Sequence, residues 1–236
     1  VKLGAQEFPA RLVRSEPLCE DILGCVFEAA DRERFVFEPG QHVRLSLRDG
    51  GFEQDRYYSI ASAPSPDNRF ELAIQVGDDP GGQILRSLAI GDELTAWGPS
   101  GSFGLRQPLR DSIFVATGAG ITPLRSMLES LLPQGPQRRI ELIYGARSPE
   151  RLLYRRRWEE LAARHPNFSF TPTVTQPAPE WTGSAGRVQG RLEASVEGRE
   201  STVDVYFCGR PEMIADCCSL LRERGVAAES LLFEGC

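Results

Sequence analysis

Arg56, Tyr58 and Ser59 stand close together in the run Arg56-Tyr57-Tyr58-Ser59-Ile60-Ala61-Ser62. A guanidinium can grip a phosphate through two parallel N–H bonds. A phenol ring offers a flat apolar face to a fused heterocycle. On a strand, Arg56 and Tyr58 leave the same face and Ser59 leaves the opposite one. Taken alone, the run also fits a half-buried strand with a surface arginine. A second segment, Gly118-Ala119-Gly120-Ile121-Thr122-Pro123, follows the apolar run Ile113-Phe114-Val115-Ala116 and opens a helical pattern. That is the setting of a dinucleotide turn. Glycines let the backbone approach a pyrophosphate, and the helix N-terminus offers free N–H groups. Pro123 suits a first helical turn, where a missing N–H is harmless. A third segment, Cys208-Gly209-Arg210-Pro211-Glu212-Met213, sets a thiol beside a glycine between a strand and a helix. By itself Cys208 also reads as a small buried apolar residue at a strand end.

The elements that carry these groups fall into two kinds. Residues 1–106 read as all-β, with strand-like runs at Phe8–Arg14, Ile22–Glu28, His42–Leu47, Tyr57–Ala61, Phe70–Val76 and Glu93–Trp97. Turn-forming clusters such as Pro39-Gly40, Asp49-Gly50-Gly51 and Pro80-Gly81-Gly82 separate them. This pattern predicts a small antiparallel barrel or sandwich, with a short helix within Gln83–Ala89. From residue 107 strands alternate with helices: Ser112–Ala116, Pro123–Leu132, Ile140–Tyr144, Leu152–Ala163, Phe168–Thr173, Val188–Glu193, Val203–Phe207 and Pro211–Arg224. Alternation of this kind predicts a parallel sheet with helices on both faces. The expected organisation is therefore two domains, 1–106 and 107–236.

In this order and spacing the three segments resemble the ferredoxin–NADP reductase superfamily, and the resemblance runs from about Phe8 to Glu234. It implies an N-terminal β-barrel that binds FAD, with FMN a less favoured flavin, and a C-terminal α/β domain that binds NADH or NADPH. Hydride would pass from the nicotinamide to the flavin in the cleft between domains. Arg56 would hold the flavin phosphate, Tyr58 would stack on the ring, and Ser59 would bond near its reactive nitrogen. Tyr57 would pack or touch the ribityl chain, the backbone at Ala61-Ser62 would meet the ribityl or pyrophosphate, and Ile60 belongs to the same flavin-binding stretch. Gly81, Gly82 and Gln83 match the second flavin-phosphate segment. The family usually has Ser or Thr three residues after the second glycine, where this chain has Leu85. Gly118, Gly120, Thr122 and Pro123 match the nicotinamide turn. Cys208, Gly209 and Met213 match the segment whose thiol lies near the reacting carbon, in a positioning role. Glu234 matches the family's C-terminal acid. The aromatic lid that often follows it is replaced by Cys236. Arg147 could meet a 2′-phosphate, but its Gly-x-Arg triplet also occurs in NADH-using relatives. Gln176 offers no cation, so NADH is favoured.

Composition narrows the alternatives. A formal charge of −6 argues against a nucleic-acid binder. The triplet Arg155-Arg156-Arg157 has acids close behind it and reads as a solvated helix face. No apolar run is long enough to span a bilayer, and no signal peptide is visible. A start at Val1 suggests a processed chain or an excised piece of a longer one. The six cysteines form no C-x-x-C pair, which predicts reduced thiols and a cytoplasmic setting. They also lack the spacing of a plant-type iron–sulfur cluster. No His/Asp/Glu set suggests a metal site, and His42 reads as packing or as a neighbour of the flavin edge. The expected partner is an electron acceptor such as a ferredoxin, an iron–sulfur domain or an oxygenase component. Three other readings stay open: a reductase that uses diffusible flavin as substrate, a non-catalytic nucleotide-sensing or electron-transfer subunit, and a structural protein with coincidental motifs.

Overall fold

Two sheets organise the protein, and a computed structural model describes them over residues 4–235. By internal contacts the chain divides into two units. One runs to Gly104 and takes in Arg125–Ser130; the other holds Leu105–Leu124 and the chain from Leu131 onward.

The first unit contains β1 (Gln6–Cys19), β2 (Ile22–Ala29), β3 (His42–Asp49), β4 (Phe52–Ser59), β5 (Arg69–Gln75), α1 (Pro80–Ser87) and β6 (Glu93–Ser100). The strands run in the order β4-β3-β6-β1-β2-β5 with antiparallel neighbours. The two edge strands then meet. Just past β4, Ile60 bridges Leu72 of β5, and the Ala61 N–H donates to the Glu71 carbonyl at 2.7 Å. A sheet joined edge to edge is a barrel, which removes its unpaired edges. Side chains alternate as that closure requires, so Val43, Leu45 and Leu47 of β3 all point into the core. At its centre, Phe35 lies 5.0 Å from Phe8 and 4.7 Å from Phe70, ring centre to ring centre.

β4 begins earlier than the expected Tyr57, because the hairpin turn is only two residues long. Asp49 pairs with Phe52 across Gly50 and Gly51, whose φ angles are 51° and 91°. Two-residue turns of type I′ require positive φ at both positions. The polar stretch Glu53-Gln54-Asp55 is thus strand. Arg56, Tyr58 and Ser59 accordingly sit in its last half, not at its start. The helix expected within Gln83–Ala89 starts earlier too, at Pro80.

The second unit contains β7 (Asp111–Thr117), α2 (Ile121–Leu131), β8 (Ile140–Ala146), α3 (Arg155–Arg164), β9 (Phe168–Val174), β10 (Ser184–Ala185), α4 (Gln189–Val196), β11 (Val203–Gly209), α5 (Pro211–Glu223) and β12 (Leu231–Gly235). Strand order is β10-β9-β8-β7-β11-β12, and every pair is parallel. The central strands are buried along nearly their whole length, as a sheet covered on both faces demands. Ile113, Val115, Val205 and Phe207 pack in one cluster with Leu192 of α4 and Ile214 of α5. On the alternate residues, Phe114 stacks on Tyr206 with centroids 4.8 Å apart. β10 and β12 were not anticipated, since one is two residues long and the other is the chain's last short run. α3 begins at Arg155, three residues after the expected Leu152, because Pro149–Arg151 forms a separate 3-10 turn.

Among the described residues no cysteine forms a disulfide. Burial pushes the Cys217 thiol up to about 12, which makes it a packing group and not a nucleophile.

Phe35→Ala should lower stability by about 3–5 kcal/mol, since it empties the middle of the aromatic cluster. Urea unfolding checks this: the midpoint should fall with an unchanged slope. A loss below about 1 kcal/mol would mean that the surrounding rings collapse into the gap.

Candidate functional site

In the barrel unit, β4 presents Arg56 and Tyr58 on the face that also carries the core-facing residues of β3, with register Leu45↔Arg56 and Val43↔Tyr58. Tyr58 is half-buried and packs against the barrel core. Burial raises its phenol pKa, and hydrogen bonding to Arg56 opposes the shift. The phenol therefore stays neutral through the physiological range. Arg56 lies along the first turn of α1. A Cβ added to Gly81 would come within 2.7 Å of the Arg56 Nη2 and 2.4 Å of the Gln54 Oε1, so a larger residue there would displace those side chains. Arg56 donates from Nε to Gln54 at 3.1 Å and from Nη2 to the Asp79 carboxylate. A cavity of about 420 Å³ opens beside them, lined by Arg56, Tyr57, Tyr58, Gln75, Gly77 and Asp79. Gly82 backs onto the Gly77 backbone. Gln83 is exposed and donates to the Asp78 carbonyl.

The remaining residues of this stretch do different work. Tyr57 points to the other face, 63% exposed, with its ring edge-on to His42 at 5.8 Å. Ser59 shares that face, opposite His42 in the ladder. Ile60 and Ala61 are fully buried, and their N–H groups go to the carbonyls of Gln41 and Glu71. Those two amides have no hydrogen left for a ligand.

In the second unit, the strand order reverses between β7 and β11, which is where open parallel sheets bind ligands beyond their carboxyl ends. The turns leaving these two strands touch backbone to backbone. A Cβ on Gly120 would meet the Cys208 carbonyl oxygen at 2.3 Å, and one on Gly209 would meet the Thr117 Oγ1 at 2.2 Å. Gly118 has φ 55° and open space where a side chain would stand. Cys208 is fully buried and pairs in register with Glu234 on β12. Met213, in the first turn of α5, is buried with its Cε beside Gly209. The Thr122 hydroxyl donates to the Ala119 carbonyl at 2.8 Å, within its own turn. Pro123 lies in the first turn of α2, which begins at Ile121. Arg147 is exposed just past β8 and donates to Gln176 at 2.9 Å. Cys236 lies outside the described residues.

Comparison with known proteins agrees with this geometry. A family model described as "Oxidoreductase FAD-binding domain" matches residues 9–104, and one described as "Oxidoreductase NAD-binding domain" matches 114–219. Ferredoxin–NADP reductase B of Sorangium cellulosum is 39% identical over 227 residues, covering 93% of this chain and 91% of that protein. The chain belongs to the ferredoxin–NADP reductase superfamily. It is an FAD-dependent NAD(P)H reductase. The phenol 2-monooxygenase reductase component of a Pseudomonas species is also 39% identical, over 75% of this chain, and the match spans about half (51%) of that longer protein. The crystal structure of an Amycolatopsis cytochrome P450 reductase superposes with a TM-score of 0.85 at 26% identity, covering 98% of this chain and 70% of that one.

The residues present fit the two cofactors of the superfamily. The barrel unit offers a cation, a half-buried ring and a glycine-lined helix start around one open cavity. The sheet unit offers a backbone cradle and a buried Thr117 hydroxyl with no partner among the described residues. Buried hydroxyls are ordinarily bonded, so Thr117 is suited to meet a ligand. Sequence reasoning gave Asp79, Gln54 and Tyr144 no role in the site. Tyr144 is fully buried, and its hydroxyl donates to the Gly118 carbonyl at 2.9 Å. Among the described residues no His/Cys/Asp/Glu group could hold a metal, and no helix is long and apolar enough to cross a membrane.

Gly120→Ala should destabilise the reductase by about 1–3 kcal/mol, because the new methyl meets backbone that cannot yield cheaply. Gly190→Ala in α4 is the control, with nothing within 4 Å of its added Cβ. It should be neutral or slightly stabilising. Thermal unfolding of the two variants checks the contrast.

Proposed function

We propose that the chain takes hydride from NADH onto FAD and hands the electrons singly to a ferredoxin, an iron–sulfur domain or an oxygenase component. The observation that carries the reading is the alignment of Arg56 and Tyr58 on one face of β4, against the first turn of α1 at Gly81. Arg56 holds the flavin phosphate, and the first-turn amides around Gly81, Gly82 and Gln83 take its remaining oxygens. Tyr58 gives the ring a flat, neutral neighbour. Ser59 bonds at the ring edge. Bound FAD supplies the conversion between a two-electron donor and a one-electron acceptor. The chain supplies orientation and electrostatics.

The nicotinamide nucleotide lies on the turns at Gly118, Gly120 and Gly209, with Thr122 and Pro123 shaping the helix start. Cys208 and Glu234, neighbours on β11 and β12, position the reacting end, and Met213 backs it. The proposed domain limits are 1–106 for FAD and 107–236 for the nucleotide; the gap between the two family matches supports a boundary there. NADH is preferred over NADPH. Gln176 brings no charge to the loop beyond β9 and already accepts from the Arg147 Nε, so a 2′-phosphate would find a single exposed arginine. The acceptor class is supported by relatives named as reductase or electron transfer components, including that of Pseudomonas putida toluate 1,2-dioxygenase. Free thiols support a cytoplasmic setting.

A second reading, with flavin as a diffusible substrate, is favoured by one observation. Leu85, where relatives place a hydroxyl, is buried in the barrel core and offers the phosphate nothing.

Anaerobic titration with NADH tests the main reading. The visible flavin bands should bleach with one equivalent of NADH per flavin, and unchanged bands would refute it. Arg56→Gln should weaken FAD binding roughly 10- to 100-fold, the worth of a charged hydrogen bond.

A further inference from the structure

We propose that Asp79 is a built-in competitor of the flavin phosphate for Arg56, and that it weakens this chain's hold on the phosphate-bearing flavins. The inference rests on the reading of Arg56 as the phosphate ligand. Asp79 stands at the N-cap of α1 with extended backbone, where a carboxylate usually accepts a bond from the first-turn amides. It makes no such bond. Its Oδ2 accepts from the Arg56 Nη2 instead, while Gln54 holds the Nε. The guanidinium is therefore engaged by the chain's own acceptors on the side that faces α1. A phosphate that uses both Arg56 and the α1 amides must take the place of that carboxylate.

Exposure makes the contact an exchangeable one. The Asp79 side chain is 50% exposed and the Arg56 side chain 19%. The acid can swing into water while the arginine stays in place. Once displaced, it remains at the same helix end as the phosphate, next to the fully exposed Asp78 side chain. Arg86 reaches Asp78 at 3.8 Å and offsets that acid, so the charge at this end that repels an arriving anion is that of Asp79. Asp79 thus lowers affinity twice, by occupying the arginine and by repelling the phosphate, without closing the site.

The test is the affinity of the flavin-stripped full chain for riboflavin, FMN and FAD, followed by flavin fluorescence. Asp79→Asn keeps a residue well suited to the N-cap and removes the charge. It should tighten FMN and FAD by roughly three- to tenfold, the range of a partly screened ion pair with added repulsion. Riboflavin, which has no phosphate, should bind as before. Unchanged or weaker FMN and FAD binding would overturn the proposal, as would an equal gain for riboflavin. Asp79→Ser, also a good cap, repeats the comparison should the Asn variant fold poorly. Arg56→Gln separates the proposal from the reading beneath it. If it abolishes the preference for FMN over riboflavin, Arg56 is the phosphate ligand whatever Asp79 does. If FAD affinity survives it intact, that reading fails and the competitor role fails with it.

Discussion

Two hydrogen bonds at the end of β4 determine what the barrel can do. The Ile60 N–H goes to Gln41 on one side and the Ala61 N–H goes to Glu71 on the other. Together they tie the exit of one edge strand to the opposite edge and close the sheet. A strand register is fixed in steps of two, so pinning its end decides which face every side chain takes. Arg56 and Tyr58 are thereby committed to the α1 side, and Tyr57 and Ser59 to the other. The same bonds remove two amides from the pool of ligand donors. The polar groups left facing the cavity are then the Arg56 guanidinium and the start of α1.

The sheet unit solves its problem by different means. Its two glycine turns leave β7 and β11, adjacent strands on either side of the order reversal. They come close because Gly120 and Gly209 carry no Cβ. Glycine here serves approach distance more than flexibility. The Thr117 hydroxyl sits in the seam so formed, buried and with no partner among the described residues. The candidate site of the barrel unit is thus made mainly of side chains, and that of the sheet unit mainly of backbone.

Much of this was readable from local chemistry. The Gly118–Pro123 segment announces a strand, a turn and a helix through residue types alone, and the structure follows that order. Alternation of strands and helices after residue 107 likewise gave the parallel sheet. What escaped depends on partners far along the chain. Glu53-Gln54-Asp55 looks like a loop because it is polar, yet it is strand because its partner β3 holds it through a two-residue turn. Asp79 reads as a solvated turn acid until Arg56, 23 residues earlier, is seen to hold it. Tyr144 reads as one more apolar strand residue; its polar end matters only because the Gly118 carbonyl lies across the sheet top.

That tyrosine has a mechanical consequence. The same oxygen that donates to Gly118 also accepts the Leu153 N–H at 3.2 Å. One atom thus joins the turn after the first strand of the sheet to the loop after its second, like a rivet through two plates. Neither piece can be displaced without loading the other. A load placed on the Arg147–Leu153 loop is therefore felt at Gly118 through a single oxygen.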